Sequence, residues 1–307
     1  MARFKVWAKR IGGGIGAVTA VLAVGASAYG YSKASSFDAS VEKVHDIAPV
    51  ELTRSNDAAV LARGKHLAES IAPCATSHCH GADLAGGQTS QIGPIGTFTA
   101  PNITPAGLTA AYSDAELARL LRHGIKKDGR SVVFMPVDAF SWLPDSDVTA
   151  LVSYVRSVPA VERANGPNKV GIFGKVLDRR GQFPLVIADV VDHATAGRSP
   201  APAPTAEYGA YVGRLCQGCH GPTFTGGPIP GAPPGMPIPK NLTPDATGLG
   251  SWDFADFERA LNQGVSKDGR KLDPMMPSES FGKMNDVEKR ALWAFLRSQP
   301  PRPFGGR

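Results

Sequence analysis

The sequence predicts an all-α protein: two tandem helical domains with long Gly/Pro-rich loops, preceded by one N-terminal transmembrane or signal helix. Three observations predict it. An uncharged stretch near the amino terminus is long enough to span a bilayer. Two segments of about a hundred residues repeat the same short motifs in the same order. Within each segment apolar residues recur at helical spacing, while alternating strand patterns are essentially absent.

The N-terminal element comes first. Arg3, Lys5, Lys9 and Arg10 precede a run without charge from Ile11 to Ser32. Positive charge ahead of an apolar stretch keeps the amino end in the cytoplasm and exports the remainder of the chain. The run reaches the ~20 residues a span requires, more than the apolar region of a cleaved signal. Residues 1–33 therefore read as an uncleaved signal anchor, with cleavage after Ala26-Ser27-Ala28 as the alternative. Either way the bulk of the chain is expected on the periplasmic side of a bacterial inner membrane, anchored or, after cleavage, soluble. Residues 34–57 read as a linker.

The repeats come next. Cys79-His80-Gly81 matches Cys219-His220-Gly221, and Asn102-Ile103-Thr104-Pro105 matches Asn241-Leu242-Thr243-Pro244. Lys127-Asp128-Gly129-Arg130 matches Lys267-Asp268-Gly269-Arg270, and Met135-Pro136 with Phe140 matches Met276-Pro277 with Phe281. Anchors in fixed order mark a duplication, with domains at 58–160 and 205–300. Between them, 161–204 is a connector ending in the stiff Pro200-Ala201-Pro202-Ala203-Pro204 spacer, and 301–307 is a tail. Each repeat has an entry helix, Leu61 to Ile71 or Tyr208 to Leu215, that ends at its first cysteine. A middle helix follows, opened by Ser113 with Glu116 or by Asp253 with Asp256 in a capping box. A closing helix carries Val148, Leu151, Val152 and Val155, or Ala291, Leu292, Phe295 and Leu296.

Composition adds a puzzle. Of 307 residues, 35 are Gly and 26 Pro, and only 7% are aromatic. Together Gly and Pro make about a fifth of the chain, short of the quarter that marks low-complexity disorder, yet each small core lacks large rings unless something else fills it. Loops such as the Pro-rich stretch from Pro222 to Pro244 form no ladder of their own and need something to wrap around. The net charge of +6 comes from scattered Lys and Arg without an aromatic stripe, which argues against a nucleic-acid partner.

The four cysteines supply the missing filler. Cys216-Gln217-Gly218-Cys219-His220 is the C-x-x-C-H signature of covalent c-type haem attachment: two thiols add to the porphyrin vinyls, and the histidine gives the proximal nitrogen. Zinc would need a further Cys or His, and the second repeat has none. In the first repeat four residues separate Cys74 from Cys79, where two are usual, and the intervening loop must bulge for both sulfurs to attach. Attachment through Cys79 alone is the fallback. With His80 and His220 as proximal ligands, Met135 and Met276 are the candidate sixth ligands, each before a proline and ahead of the closing helix. A thioether favours ferrous iron and raises the potential. Met275 is a close rival to Met276. Met236 has no counterpart, and Met284 reads as core. His66 and His123 do not repeat and read as surface or helix-end residues.

On these motifs the chain resembles the class I c-type cytochromes, and more closely the membrane-bound dihaem cytochromes c. It is similar to the cytochrome subunits of membrane-bound alcohol and aldehyde dehydrogenases, though those typically carry three haems. The resemblance implies two covalently bound haem c groups, and places Gly64 and Gly209 where the first helix crosses the last. The expected function is one-electron transfer between a redox protein donor, such as a periplasmic or membrane dehydrogenase, and an acceptor in the respiratory chain. A haem enzyme, either a dihaem peroxidase or a thiosulfate-oxidising cytochrome, is the alternative; it would need an open or displaceable iron position or a cysteine ligand. Lys126, Lys127 and Arg130 form either a docking face or a solvated loop.

Overall fold

The computed structural model describes residues 2–194, 200–232 and 235–306, with side chains from Val18 onward. Each domain is closed by a crossed pair of helices. In the first, α2 (Ala58–Glu69) packs on α4 (Asp145–Ser157), with α3 (Asp114–His123) alongside. In the second, α6 (Ala206–Val212) packs on α10 (Asp286–Ser298). Helices α7 (Gln217–His220), α8 (Phe254–Gln263) and α9 (Ser278–Phe281) lie between those two.

Small residues set the crossings. A Cβ on Gly64 would sit 2.0 Å from the carbonyl oxygen of Ala150, and one on Gly209 would sit 1.9 Å from that of Ala291. No side chain fits at such a distance, so the backbones meet directly, as the resemblance implied. Helix ends are capped as the residues suggest. Ser113 with Glu116, and Asp253 with Asp256, form capping boxes. Asn285 with Glu288 forms a third, which sequence reading missed. Gly124 and Gly264 close α3 and α8 in the left-handed conformation, at φ 66° and 63°.

The all-α expectation needs a correction. Strands β1 (Thr89–Ile92), β2 (Gly96–Thr99) and β3 (Lys169–Val170) make a small antiparallel sheet in the order β1-β2-β3. Thr89 pairs with Thr99, Ile92 with Gly96, and Thr97 with Lys169. Four-residue strands are too short to display an alternation, and the third strand comes from the connector, far along the chain.

That connector is a structural element of the first domain. Its helix α5 (Ile172–Arg179) packs on the C-terminal part of α1 (Ala2–Glu42). Phe37 of α1 is buried with Ile95, Phe98, Leu177, Leu185 and Val186. Polar contacts flank it: Lys175 meets Asp38 at 2.6 Å, and the Ser40 hydroxyl donates to Asp189 at 2.6 Å. Further toward the amino end, Val18, Val21, Leu22 and Val24 are exposed. Among the described residues no helix is long and apolar enough to cross a membrane. The predicted span from Ile11 to Ser32 lies partly outside the described side chains.

Candidate functional site

Both cysteine motifs stand at the end of an entry helix. In the second domain a 3-10 turn, Gly213–Cys216, runs into α7, so Cys216, Cys219 and His220 lie on consecutive helical turns. In the first domain the wider spacing folds into a hydrogen-bonded turn. Cys79 N–H and Gly81 N–H donate to Thr76 O, at 3.1 and 2.8 Å, and His80 N–H donates to Cys74 O at 2.9 Å. The extra residues are thus taken up locally.

The two histidines share one environment. Each is buried, and its Nδ1 lies against a main-chain carbonyl: His80 on Pro101 O at 2.8 Å, His220 on Lys240 O at 2.6 Å. A hydrogen bond of that kind fixes the tautomer and orients the ring. Burial lowers the pKa of His80, and the Pro101 carbonyl only partly offsets it. The imidazole is held neutral, as a metal ligand must be.

The loop beyond each histidine repeats down to backbone angles. Leu84 and Phe224 are buried non-glycine residues at φ 58° and 60°. Such a conformation costs of order 1–3 kcal/mol. Glycines relieve the rest of the loop: Gly86 and Gly226, at φ 69° and 68°, would each drive a Cβ into the facing strand of loop, at 2.4 Å from Pro101 and 2.3 Å from Pro239 respectively. The Asn-x-Thr-Pro motif then locks that strand. Asn102 Nδ2 donates to Val161 O at 2.7 Å, and the Asn102 carbonyl oxygen accepts from Thr104 N at 2.9 Å. In the second domain Asn241 donates to Arg302 O at 2.7 Å and accepts from Thr243 N at 2.9 Å. The motif was visible as a repeat, but its role was not, because its partners lie in the connector and the tail.

The methionines sit on matching turns. Val137 N–H donates to Met135 O at 2.8 Å, and Ser278 N–H donates to Met276 O at 2.7 Å, each across the intervening proline. The backbone therefore puts Met276, rather than Met275, in the place of Met135. Met276 packs on the main core, while Met275 is 50% exposed. Met135 is half-buried against the cluster of Val137, Ile187 and Val191, so the connector backs its loop. Met284 is in the core, as expected. Lys126 and Arg130 are partly paired, with Asp128 and Glu42, and Lys127 donates to Ala111 O. His66 stands in the last turn of α2, as expected, and its Nε2 also lies 2.7 Å from Glu288 of the other domain.

The thiols narrow the chemistry. No disulfide joins the cysteines. Burial, reinforced by the neighbouring Cys79, pushes Cys74 up to about 12, and burial with Cys219 does the same to Cys216. Among the described residues no group of three or more His, Cys, Asp or Glu side chains is arranged to hold a metal ion. One oriented histidine per site, beside two thiols, suits a metal whose other ligands come from a macrocycle joined to those thiols. The fold and sites together define a c-type haem protein with two centres.

The chain belongs to the cytochrome c family, whose model matches residues 61–159 and 208–300. Its cofactors are two covalently bound haem c groups. It is 39% identical over 113 residues to the cytochrome c subunit of a quinone alcohol dehydrogenase of Gluconacetobacter polyoxogenes, covering 33% of this chain and 24% of that one. It is 37% identical over 95 residues to the cytochrome c subunit of a gluconate 2-dehydrogenase of Pantoea cypripedii, covering 29% and 22%. A diheme cytochrome c-type of Cereibacter sphaeroides is 35% identical over 112 residues, covering 33% and 36%. The matches thus span little more than a third of these relatives at most.

Proposed function

We propose that this protein is a dihaem electron-transfer subunit. It would take electrons one at a time from a periplasmic or membrane dehydrogenase and pass them to an acceptor of the respiratory chain. The observation that carries the reading is the duplication of one site: the same oriented histidine, the same strained loop and the same Met-Pro turn in each domain. Two like centres suit relay of electrons, whereas catalysis at haem needs one centre with an open position. Relatives that are cytochrome subunits of alcohol and gluconate dehydrogenases support the choice of donor.

In this reading Cys74 and Cys79, and Cys216 and Cys219, hold the two porphyrins through thioethers. His80 and His220 would bind the two irons, with Met135 and Met276 as the second protein ligand of each. When bound, each haem supplies a reversible one-electron iron couple; the chain supplies ligation, a low-dielectric pocket and orientation. The exposed apolar residues of α1 support an N-terminal anchor on the periplasmic face of the inner membrane, which would raise the effective concentration near membrane partners.

Redox titration with haem counting by mass tests this. The expected result is two haems per chain, both low-spin and each with a sulfur-to-iron band in the ferric spectrum. Met276→His should remove one such band and lower one potential, while Met275→Leu should change neither. A high-spin resting haem would overturn the carrier reading in favour of a haem enzyme.

A further inference from the structure

The two domains meet through a buried polar cluster that obeys the internal repeat. Arg63 immediately precedes the crossing glycine Gly64, as Tyr208 precedes Gly209; His66 and Tyr211 each follow that glycine by two residues. Asp147 and Glu288 occupy equivalent places in the first turns of α4 and α10. Each carboxylate is closed off from water, with side-chain exposures of 7% and 0%. Each takes partners from both domains. Asp147 accepts from Arg63 Nη2 at 2.9 Å, within its domain, and from the Tyr211 hydroxyl across the interface. Glu288 accepts from the Tyr208 hydroxyl at 3.4 Å, within its domain, and lies 2.7 Å from His66 Nε2 across the interface. Arg63 Nη1, 3.4 Å from Glu288, ties the two halves together.

Interchangeable chemistry at equivalent positions implies one shared task. An imidazole and a phenol both carry a donor on a flat ring, and here both reach the facing carboxylate. Around them the packing is aromatic and stiff. Trp142, in the loop that follows the Met135 turn, meets Tyr211 edge-on at 4.9 Å, and Tyr211 stacks on Tyr208 at 5.6 Å. Tyr211 stands on the helix that leads into Cys216. The interface is thereby joined to one ligand-bearing loop on each side.

We propose that His66 and Tyr211 are positioning residues for electron exchange between the two haem domains. Each reaches across to the carboxylate of the other domain, and together they hold both centres in one relative orientation. This rests on the dihaem electron-transfer reading. The exchange itself oxidises one iron by one electron and reduces the other, and these side chains neither gain nor lose electrons or protons in it.

The test uses the full chain with both haems. One centre is reduced by a short pulse, and equilibration with the other is followed optically. The double variant His66→Phe, Tyr211→Phe should slow equilibration about tenfold or more, because small misplacement of reacting centres costs rate steeply, with haem count, visible spectra and both midpoint potentials unchanged. His66→Tyr keeps a donor and should stay within about twofold of the parent, while His66→Phe should not. Equal rates in parent and double variant would overturn the proposal, as would equal losses in His66→Tyr and His66→Phe. Altered spectra or potentials in Tyr211→Phe, which loses one oxygen atom, would also overturn it by assigning the residue to a haem pocket. A parent protein with a single haem would instead sink the electron-relay reading beneath it.

Discussion

The two domains share the loop that follows each histidine and differ in the segments that surround it. Leu84 and Phe224 take the same strained angle, and Asn102 and Asn241 make the same pair of bonds. Yet among the described residues only the first domain carries a β-hairpin, a connector that completes its sheet and a docked N-terminal helix. Even the partners of the shared asparagine differ in origin, Val161 lying in the connector and Arg302 in the tail. The lesson is that the cofactor dictates the common part. A porphyrin needs an oriented ligand and a locked loop, and any later segment can supply the carbonyl that locks it. The first domain's extra parts dock α1, and the connector among them also backs the Met135 loop.

The comparison can be broken most severely at the helix crossing. Gly209→Val places side-chain atoms inside the Ala291 carbonyl, an overpacking worth more than ~3 kcal/mol. The second domain should fail to mature, leaving one haem per chain by mass, while the first keeps its haem. Gly64→Val should do the converse.

Phe37→Ala is expected to act on one domain only. Emptying a buried phenylalanine site costs roughly 3–5 kcal/mol, here charged to the contact between α1 and α5. Hydrogen exchange in α5 should accelerate, and the amides of α6 and α10 should not respond. Equal acceleration in α10 would mean that the docked helix supports both domains.

Asn102→Ala and Asn241→Ala probe what is common. Each leaves the buried threonine N–H without its acceptor and takes one donor from the Val161 or Arg302 carbonyl, a loss of about 1–3 kcal/mol. Both should lower the denaturation midpoint of their own domain to a similar extent. A large inequality would show that the tail and the connector are not equivalent as clamps.

The smallest effect is a pH dependence confined to the first domain. Burial alone would raise Asp189, but the Ser40 hydroxyl, Arg179 and Lys43 outweigh it and hold its pKa below the ordinary 3.8. A depressed carboxylate stabilises the fold fully above 3.8, and this contribution fades as pH falls through the lower folded value. Protection of α1 against α5 should therefore weaken in that acid window. Asp189→Asn should make the parent's acid response disappear.

Much of the fold was legible in the chain itself. The repeat, the cysteine pairs and their histidines and two capping boxes are all local signals, set by covalent attachment chemistry or by the geometry of a single turn, while the crossing glycines were implied by the family resemblance. Met276 could be preferred to Met275 from the following proline, and the backbone turn has the same register. The sheet was not legible, because each strand is short and its third member is distant in sequence. Nor was the role of His66, whose partner Glu288 belongs to the other domain and looked like an ordinary helix residue. Local chemistry determined what each domain holds. How the domains and the N-terminal helix sit against one another was decided only in three dimensions, where buried carboxylates and aromatic rings from distant segments must find each other to leave water.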